Sequence, residues 1–364
     1  MRVLALYLPQ YHAINENDQW WGKGYTEWTA VRKARPLYEG HRQPRIPLSG
    51  SYYDLSEETA SAIKEQAALA KKYGIYGFCI YHYWFKGRKL LEKPMELLLR
   101  HPEIDLNYCI CWANESWTRT WYGLKNEVLI SQEYGEERDW ENHFSYLLQF
   151  FKDRRYVKRN NRPLINIYRS TEIKKLKEML HCWRKLARRN GFDDLCVIVS
   201  NSAAIPEMRS ELIDGYYNFE PGYSTGHHRT AVETAEYKSR VLVKTLANRI
   251  LRTKRLERTV DIRQTYRKIC ENSTIRTLNG KPLSPGLFPG WDNTPRRGYR
   301  GMVYLNYTPT LFYNTLKCLS TNIDRDSYVY INAWNEWGEG CYLEPDQEYE
   351  YGYLEAIRKA TEND

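Results

Sequence analysis

Late in the chain, Ala333-Trp334-Asn335-Glu336-Trp337-Gly338-Glu339-Gly340 sets two carboxylates three residues apart among tryptophans and glycines. A carboxylate pair is the minimum equipment for glycosidic chemistry. One acid donates a proton to the leaving oxygen, and the other serves as base or nucleophile. Crowding two acids also raises the pKa of one, which keeps it protonated near neutral pH. Trp334 and Trp337 offer flat rings of the kind a sugar face stacks on. The glycines let the backbone turn sharply. Glu-x-x-Glu pairs on exposed helices are common and merely solvated. A Glu between two Trp at the end of an apolar run fits that plain reading poorly, so Glu336 and Glu339 are the candidate catalytic residues.

Such residues need elements to hold them. Short apolar runs recur at Arg2–Leu8, Ile75–Tyr81, Leu106–Trp112, Pro163–Tyr168, Leu195–Ser200, Gly215–Phe219, weakly near Phe288–Trp291, and at Tyr328–Trp334. They largely lack polar alternation, as parallel strands buried on both faces do. Helical stretches near Ser56–Tyr73, Trp140–Lys152 and Glu172–Arg189 lie between them. Strands alternating with helices imply a parallel sheet, and eight of them predict an α/β fold, the (β/α)8 TIM barrel. A doubly wound sheet would be expected to carry a glycine-rich loop after its first strand, and Leu8-Pro9-Gln10-Tyr11-His12 is not one.

In a barrel, all C-terminal strand ends converge on one face. The candidate substrate contacts follow from that convergence. They are Tyr11 and His12 after the first run, Tyr81 and His82 after the second, and Trp112, Asn114, Glu115 and Trp117 after the third. Glu220 follows the sixth, Trp291 and Asp292 the seventh, and Trp334, Asn335 and Trp337 the eighth. Asn114 and Glu115 are of the types that pair with vicinal hydroxyls. The stretch Asn15 to Asp54 reads as a loop excursion over the mouth and adds Trp20, Glu27 and Trp28. Support from behind or core packing is the plain alternative for each. His12 and His82 have no third metal ligand at useful spacing, so no metal and no cofactor are expected.

Composition narrows the partners. Aromatic residues make up 14% of the chain, with 31 Tyr and 12 Trp, which suits surfaces that bind sugars or nucleobases. The net charge of +9 favours anionic partners. Tyr-rich basic chains can stack bases, but acids gathered at the predicted mouth would repel phosphates, so nucleic acid is not expected. The eight cysteines form no CxxC pair and no zinc-type cluster, and read as small buried hydrophobes. No apolar run is long enough to cross a bilayer. The opening Met1 to Pro9 lacks a small-residue cleavage site, which predicts a cytoplasmic location.

The 364 residues are expected to form a single catalytic domain, 1–364, with a basic helical insertion at about 225–270. Within it, Lys238 to Arg258 holds eight basic residues and one acid, Glu257. Val241, Leu242, Leu246, Ile250 and Leu251 lie near helical spacing. This predicts a basic amphipathic helix. Its apolar stripe either packs on the barrel or meets an anionic surface such as the inner membrane.

Several motifs carry a family resemblance: YLPQYH, NDQWWGKGYTEWTAV, RPLYEGHRQPRIP, CWANESWTRTW, FPGWDNTPRR and NAWNEWGEGCYLEPD. Together they resemble the WbsX-type proteins of bacterial surface-polysaccharide (O-antigen and capsule) gene clusters, often labelled glycosyltransferases. That resemblance covers nearly the whole chain. A more distant one, resting on the fold and the paired acids, is to glycoside hydrolase family 99, the retaining endo-α-1,2-mannosidases and mannanases. Family 99 implies a (β/α)8 barrel without metal and a Glu-Trp-His-Glu stretch after a late strand. Glu336-Trp337-Gly338-Glu339 matches its spacing, with Gly338 in place of His. The resemblance makes Glu336 the base on the sugar 2-hydroxyl, which attacks the anomeric carbon to give a 1,2-anhydro sugar. It makes Glu339 the acid for the leaving oxygen and then the base for the acceptor. Glu344 matches the acid of a following Glu-Pro and would bind a sugar hydroxyl.

Three classes stay open on the sequence. One is a retaining endo-α-mannosidase-type hydrolase. Another is a transferase or transglycosidase that delivers a sugar to an acceptor during polysaccharide assembly. The third is a non-catalytic glycan-binding protein, which would not need both acids. For the second, Arg119, Arg169, Arg296 and Arg297 near strand ends are candidates for phosphate contact. The sugar, the linkage and the oligomeric state are not specified by these residues.

Overall fold

A computed structural model describes residues 1–118, 127–202, 211–227, 231–250 and 255–362. Its centre is a ring of parallel strands. They are β1 (Arg2–Tyr7), β2 (Ile75–Phe85), β3 (Asn107–Trp112), β4 (Leu164–Ile167), β5 (Cys196–Asn201) and β6 (Gly215–Asn218). β7 comes in two pieces, Lys281–Ser284 and Gly286–Leu287, and β8 is Tyr328–Ile331. β1 to β6 pair in sequence order. The first piece of β7 pairs with β6 through Leu283↔Tyr216, and the second with β8 through Leu287↔Ile331. β8 pairs with β1 through Arg2↔Tyr328 to Ala5↔Ile331. The pairings therefore run once round a ring of eight strands, the (β/α)8 arrangement.

The strands form because they are apolar on both faces. Val3, Leu4 and Ala5 are fully buried, as are Cys109, Ile110 and Cys111. Helices cover the outside with stripes at helical spacing. Helix Glu137–Lys152 buries Trp140, Phe144, Leu147 and Phe151, and helix Leu176–Arg189 buries Leu176, Met179, Leu180, Trp183 and Ala187. Inside the ring, Asn166 donates to Ile110 O at 3.1 Å and accepts from the Tyr330 hydroxyl at 2.9 Å. Tyr330 stacks on Tyr217 with centroids 4.2 Å apart. A buried amide in such a place needs partners, and it has them. All eight cysteines are free thiols, five buried and three partly so.

Three expectations need correction. The seventh strand lies at Lys281–Leu287, before Phe288–Trp291, because its Pro282, Ser284, Pro285 and Gly286 leave no apolar run to read. Gly286 marks the place where β7 passes from β6 to β8, and a Cβ there would collide with the Asn218 carbonyl oxygen. The stretch Asn15–Asp54 is not simply loop, since it contains helices Asn15–Trp21 and Glu27–Lys33. The basic helix spans Ala231–Ile250 rather than Lys238–Arg258, and Arg258 begins a short strand to Asp261 that pairs with Met302–Leu305. Arg119 and Leu251 lie outside the described residues. Among the described residues no helix is long and apolar enough to cross a membrane.

Candidate active site

Beyond β8 the chain passes through a cis peptide at Asn332–Ala333 into a small hairpin. Asn335–Glu336 pairs antiparallel with Cys341–Tyr342, around a tight turn at Trp337–Glu339. Gly340, with φ 58°, closes that turn in the left-handed region. Glu336 and Glu339 therefore project from one turn. Asn335 pins the hairpin to the end of β1, accepting from Leu8 N at 2.7 Å and donating to Leu8 O at 3.0 Å.

Arg296 organises the acids. It lies on the short helix Thr294–Arg297. Its Nε donates to Glu27 Oε1 at 2.8 Å, its Nη1 to Glu339 Oε1 at 2.8 Å, and its Nη2 reaches Glu336 Oε2 at 3.4 Å. Glu27 is fully buried at the start of its helix. Gly338 runs against this pair, and a Cβ there would collide with Glu27 Oε1 and crowd Arg296. The missing side chain at 338 is thus a packing requirement of the Glu27–Arg296 contact.

Three carboxylates around one guanidinium leave an excess of negative charge. Burial, then the charge of Glu339, pushes Glu336 up to about 8, against the pull of Arg296. Burial raises Glu339 as well, and Arg296 opposes it from the shorter distance. Both shifts favour keeping a proton on the ligand-free pair near neutral pH.

These acids open into a cleft of about 300 Å³. Tyr81, Tyr83, Tyr168, Phe219 and Trp291 are its aromatic lining, with Gln10, Glu115, Arg169 and Arg297 among its polar residues. Glu115 pairs with Arg169. The net effect of burial against that pairing leaves the Glu115 carboxyl raised. The Trp291 indole N–H is buried and has no hydrogen-bond partner among the described residues. Of the residues read from the sequence, the structure brings Tyr81, Glu115, Arg169, Trp291, Arg296, Arg297, Glu336 and Glu339 to the cleft.

The others stand behind its wall, where burial and existing bonds remove them from direct sugar contact. Trp334 and Trp337 are not the platform. Their indole N–H groups donate to Glu344 at 3.1 and 2.6 Å. Glu344 also accepts from Tyr53 at 2.9 Å and Gln66 at 2.7 Å. Burial still pushes it up to about 7. Glu344 anchors the hairpin through these bonds. Tyr11 donates to Asn335 O and accepts from Trp337 N, and Trp28 donates to Tyr53 O. Asn114 is fully buried and accepts from Arg169 N at 2.7 Å, which sets the backbone behind the Glu115–Arg169 pair.

Asp292 is likewise an anchor. Its carboxylate takes His41 and Gln43 at 2.8 Å and the Thr294 hydroxyl at 2.6 Å. Burial alone would raise it, but His41, Arg45 and Thr294 hold it at about 2. It thereby joins the mouth segment to the helix that carries Arg296. Glu220 accepts from Ser224 N and Oγ, and burial pushes it up to about 7. His12 contacts Pro9 O. His82 contacts His143 at 2.9 Å beneath Trp84 and Trp112, and burial brings it down to about 3. Trp20 meets Trp117, which packs under Tyr83 and Phe85. The sequence reading missed Tyr83 as a wall, although strand alternation puts it on the same face as Tyr81.

The sequence model of the family described as Glycosyltransferase WbsX matches residues 3–357. Two curated relatives from strains of Xanthomonas campestris pv. campestris, both described as uncharacterized protein WxcX, are 36% identical over 363 residues, 98% of this chain and 49% of theirs. The chain spans about half the length of the curated relatives it matches. Among solved structures, the family 99 endo-α-mannosidase of Bacteroides thetaiotaomicron is similar, with a TM-score of 0.60, 14% identity, and coverage of 100% of this chain and 97% of that one. A chain described as a glycoside hydrolase-like protein gives a TM-score of 0.62 at 12% identity, covering 99% and 93%. At such identities the likeness shows the fold.

Proposed function

The chain belongs to the WbsX glycosyltransferase family, and from that premise we propose that it acts on glycosidic bonds of a bacterial surface polysaccharide with Glu336 and Glu339 as its catalytic pair. The observation that carries this reading is the pair itself. Two acids from one turn share the guanidinium of Arg296 at the floor of a cleft walled by Tyr81, Tyr83 and Trp291. The walls suit the apolar faces of sugar rings. The fold is shared with an endo-α-mannosidase, so an α-linked, mannose-like glycan is the first substrate to test.

The reaction needs one acid protonated and one ionised. The proton goes to the leaving glycosidic oxygen. The ionised partner draws a proton from the attacking group, which in the family 99 route is the 2-hydroxyl that forms the 1,2-anhydro sugar. The acceptor oxygen then bonds to the anomeric carbon as that carbon's bond to O2 breaks. The former acid, now a carboxylate, takes the acceptor's proton, and the partner returns its own proton to O2, which restores the pair. With water as acceptor the outcome is hydrolysis, and with a sugar hydroxyl it is transfer. The resemblance assigns the acid role to Glu339. Burial raises both acids, with Glu336 pushed up to about 8, which favours the opposite assignment.

An aryl α-glycoside separates the two assignments, because a good leaving group needs no acid. The Gln variant of the acid retains aryl turnover and loses natural-glycan turnover by roughly 10²–10⁴-fold. The Gln variant of the base loses both. Both substrates turned over normally by Glu336→Gln and by Glu339→Gln would end the proposal.

A transferase reading has one observation of its own. Arg297 lies on the cleft wall beside Arg296 and pulls down on the Glu339 carboxyl. A second guanidinium there suits a donor bearing phosphate.

A further inference from the structure

We infer that the outward face of helix Ala231–Ile250 docks on an anionic lipid bilayer. The helix is turned the opposite way from the other long helices. Val232, Leu242, Val243, Leu246 and Ile250 are exposed, Leu242 at 58% and Ile250 at 75%. With 3.6 residues per turn these side chains share one stripe about 100° wide. The side chains turned inward are Thr234, Tyr237, Val241, Lys244 and Asn248, which are mostly polar. A helix that buries polar groups and exposes an apolar stripe keeps that stripe for a partner.

Charge selects the partner. From Lys238 to Ile250 the helix carries Lys238, Arg240, Lys244 and Arg249 and no acid. On the helical wheel Lys238 and Arg249 border the stripe on one side, while Glu236 borders the other edge with Arg240 beyond it. All four are exposed. An apolar stripe with cations along one edge fits a bilayer, with the stripe below the headgroups and that edge among anionic ones. An antiparallel two-fold pairing of two copies through this stripe would instead bring their Lys238–Arg249 edges together, like charge on like charge.

The helix is also tied to the cleft. Tyr237 approaches Met302 Sδ at 4.0 Å, and Met302 N donates to Asn293, the residue before the helix that carries Arg296. A docked molecule would hold its cleft near the membrane surface, within reach of a lipid-linked glycan. The inference does not depend on which way the reaction runs.

The test is co-sedimentation of the purified protein with phosphatidylcholine vesicles and with vesicles containing phosphatidylglycerol, at low and high salt. Binding should need the anionic lipid and weaken with salt. Lys238→Glu with Arg249→Glu should weaken it by more than about ten-fold. Leu246→Glu with Ile250→Glu should abolish it. These positions are exposed, so melting temperature and glycan turnover in solution should stay unchanged. Equal binding to both vesicle types, no binding to either, or variants that bind like the parent would overturn the inference. Self-association of the parent that Leu246→Glu abolishes would assign the face to a second copy and overturn it too.

Discussion

Arg296 answers Glu27, Glu336 and Glu339 with a single positive charge, and the surplus acidity has a consequence for stability. Glu336 titrates at about 8 in the folded protein against its ordinary 4.5. Between those values the folded protein holds a proton that the unfolded chain has released. Stability therefore falls as pH rises through that window. Glu336→Gln mimics the protonated form. It should melt like the parent below pH 4.5 and above the parent's melting temperature beyond pH 8, in thermal scans across pH. A variant that melts lower than the parent beyond pH 8 would mean that Glu336 is held ionised by Arg296. Arg296→Ala leaves Glu27 buried beside no cation, which should cost about 3–5 kcal/mol in urea unfolding. Arg296→Lys should recover only part of that, because one ammonium cannot reach three carboxylates as a planar guanidinium does. Glu336 and Glu339 were legible as a motif, whereas the role of Arg296 was not. Its partner Glu27 is 269 residues away, and no local pattern joins them. Trp334 and Trp337 misled in the opposite way, since aromatic type suggested a platform while the fold turned both indoles onto Glu344.

At the scale of elements, the hairpin that carries Glu336 and Glu339 and the mouth helix Glu27–Lys33 form one unit through Gly338. Gly338→Ala should be strongly destabilising and inactivating, because the added Cβ meets Glu27 Oε1. Removing the obstruction tests this. Glu27→Ala combined with Gly338→Ala should cost less than the sum of the two single changes in denaturant unfolding, as for residues that share one space. Strict additivity would show that the two positions do not compete. Seven of the eight strands were readable because continuous apolar runs mark strands buried on both faces. β7 was not, because its two short pieces bond through backbone while Pro282, Pro285 and Gly286 erase the apolar signal. The mouth helices were hidden by polar and aromatic composition, which sequence reasoning assigns to loops. Helix Ala231–Ile250 showed its basic character in the sequence, but not that its apolar stripe faces outward, since periodicity defines a stripe and not its direction.

At the scale of the whole molecule, the ring of pairings brings the ends of β1, β2, β3, β4, β6, β7 and β8 around one cleft. That convergence explains how residues from Gln10 to Glu339 meet. It also explains why many acids and aromatics at strand ends face inward as anchors, since the mouth segment covers much of that face. The family relation directs attention to surface glycans, and the cleft supplies the chemistry to test. The most direct measurement incubates the purified protein with α-mannan fragments, with and without an acceptor sugar, and follows products by mass spectrometry and anomeric configuration by NMR. The account predicts a new reducing end or a transfer product with retained α configuration, lost in both Glu336→Gln and Glu339→Gln. An inverted product, or turnover that survives both substitutions, would contradict it.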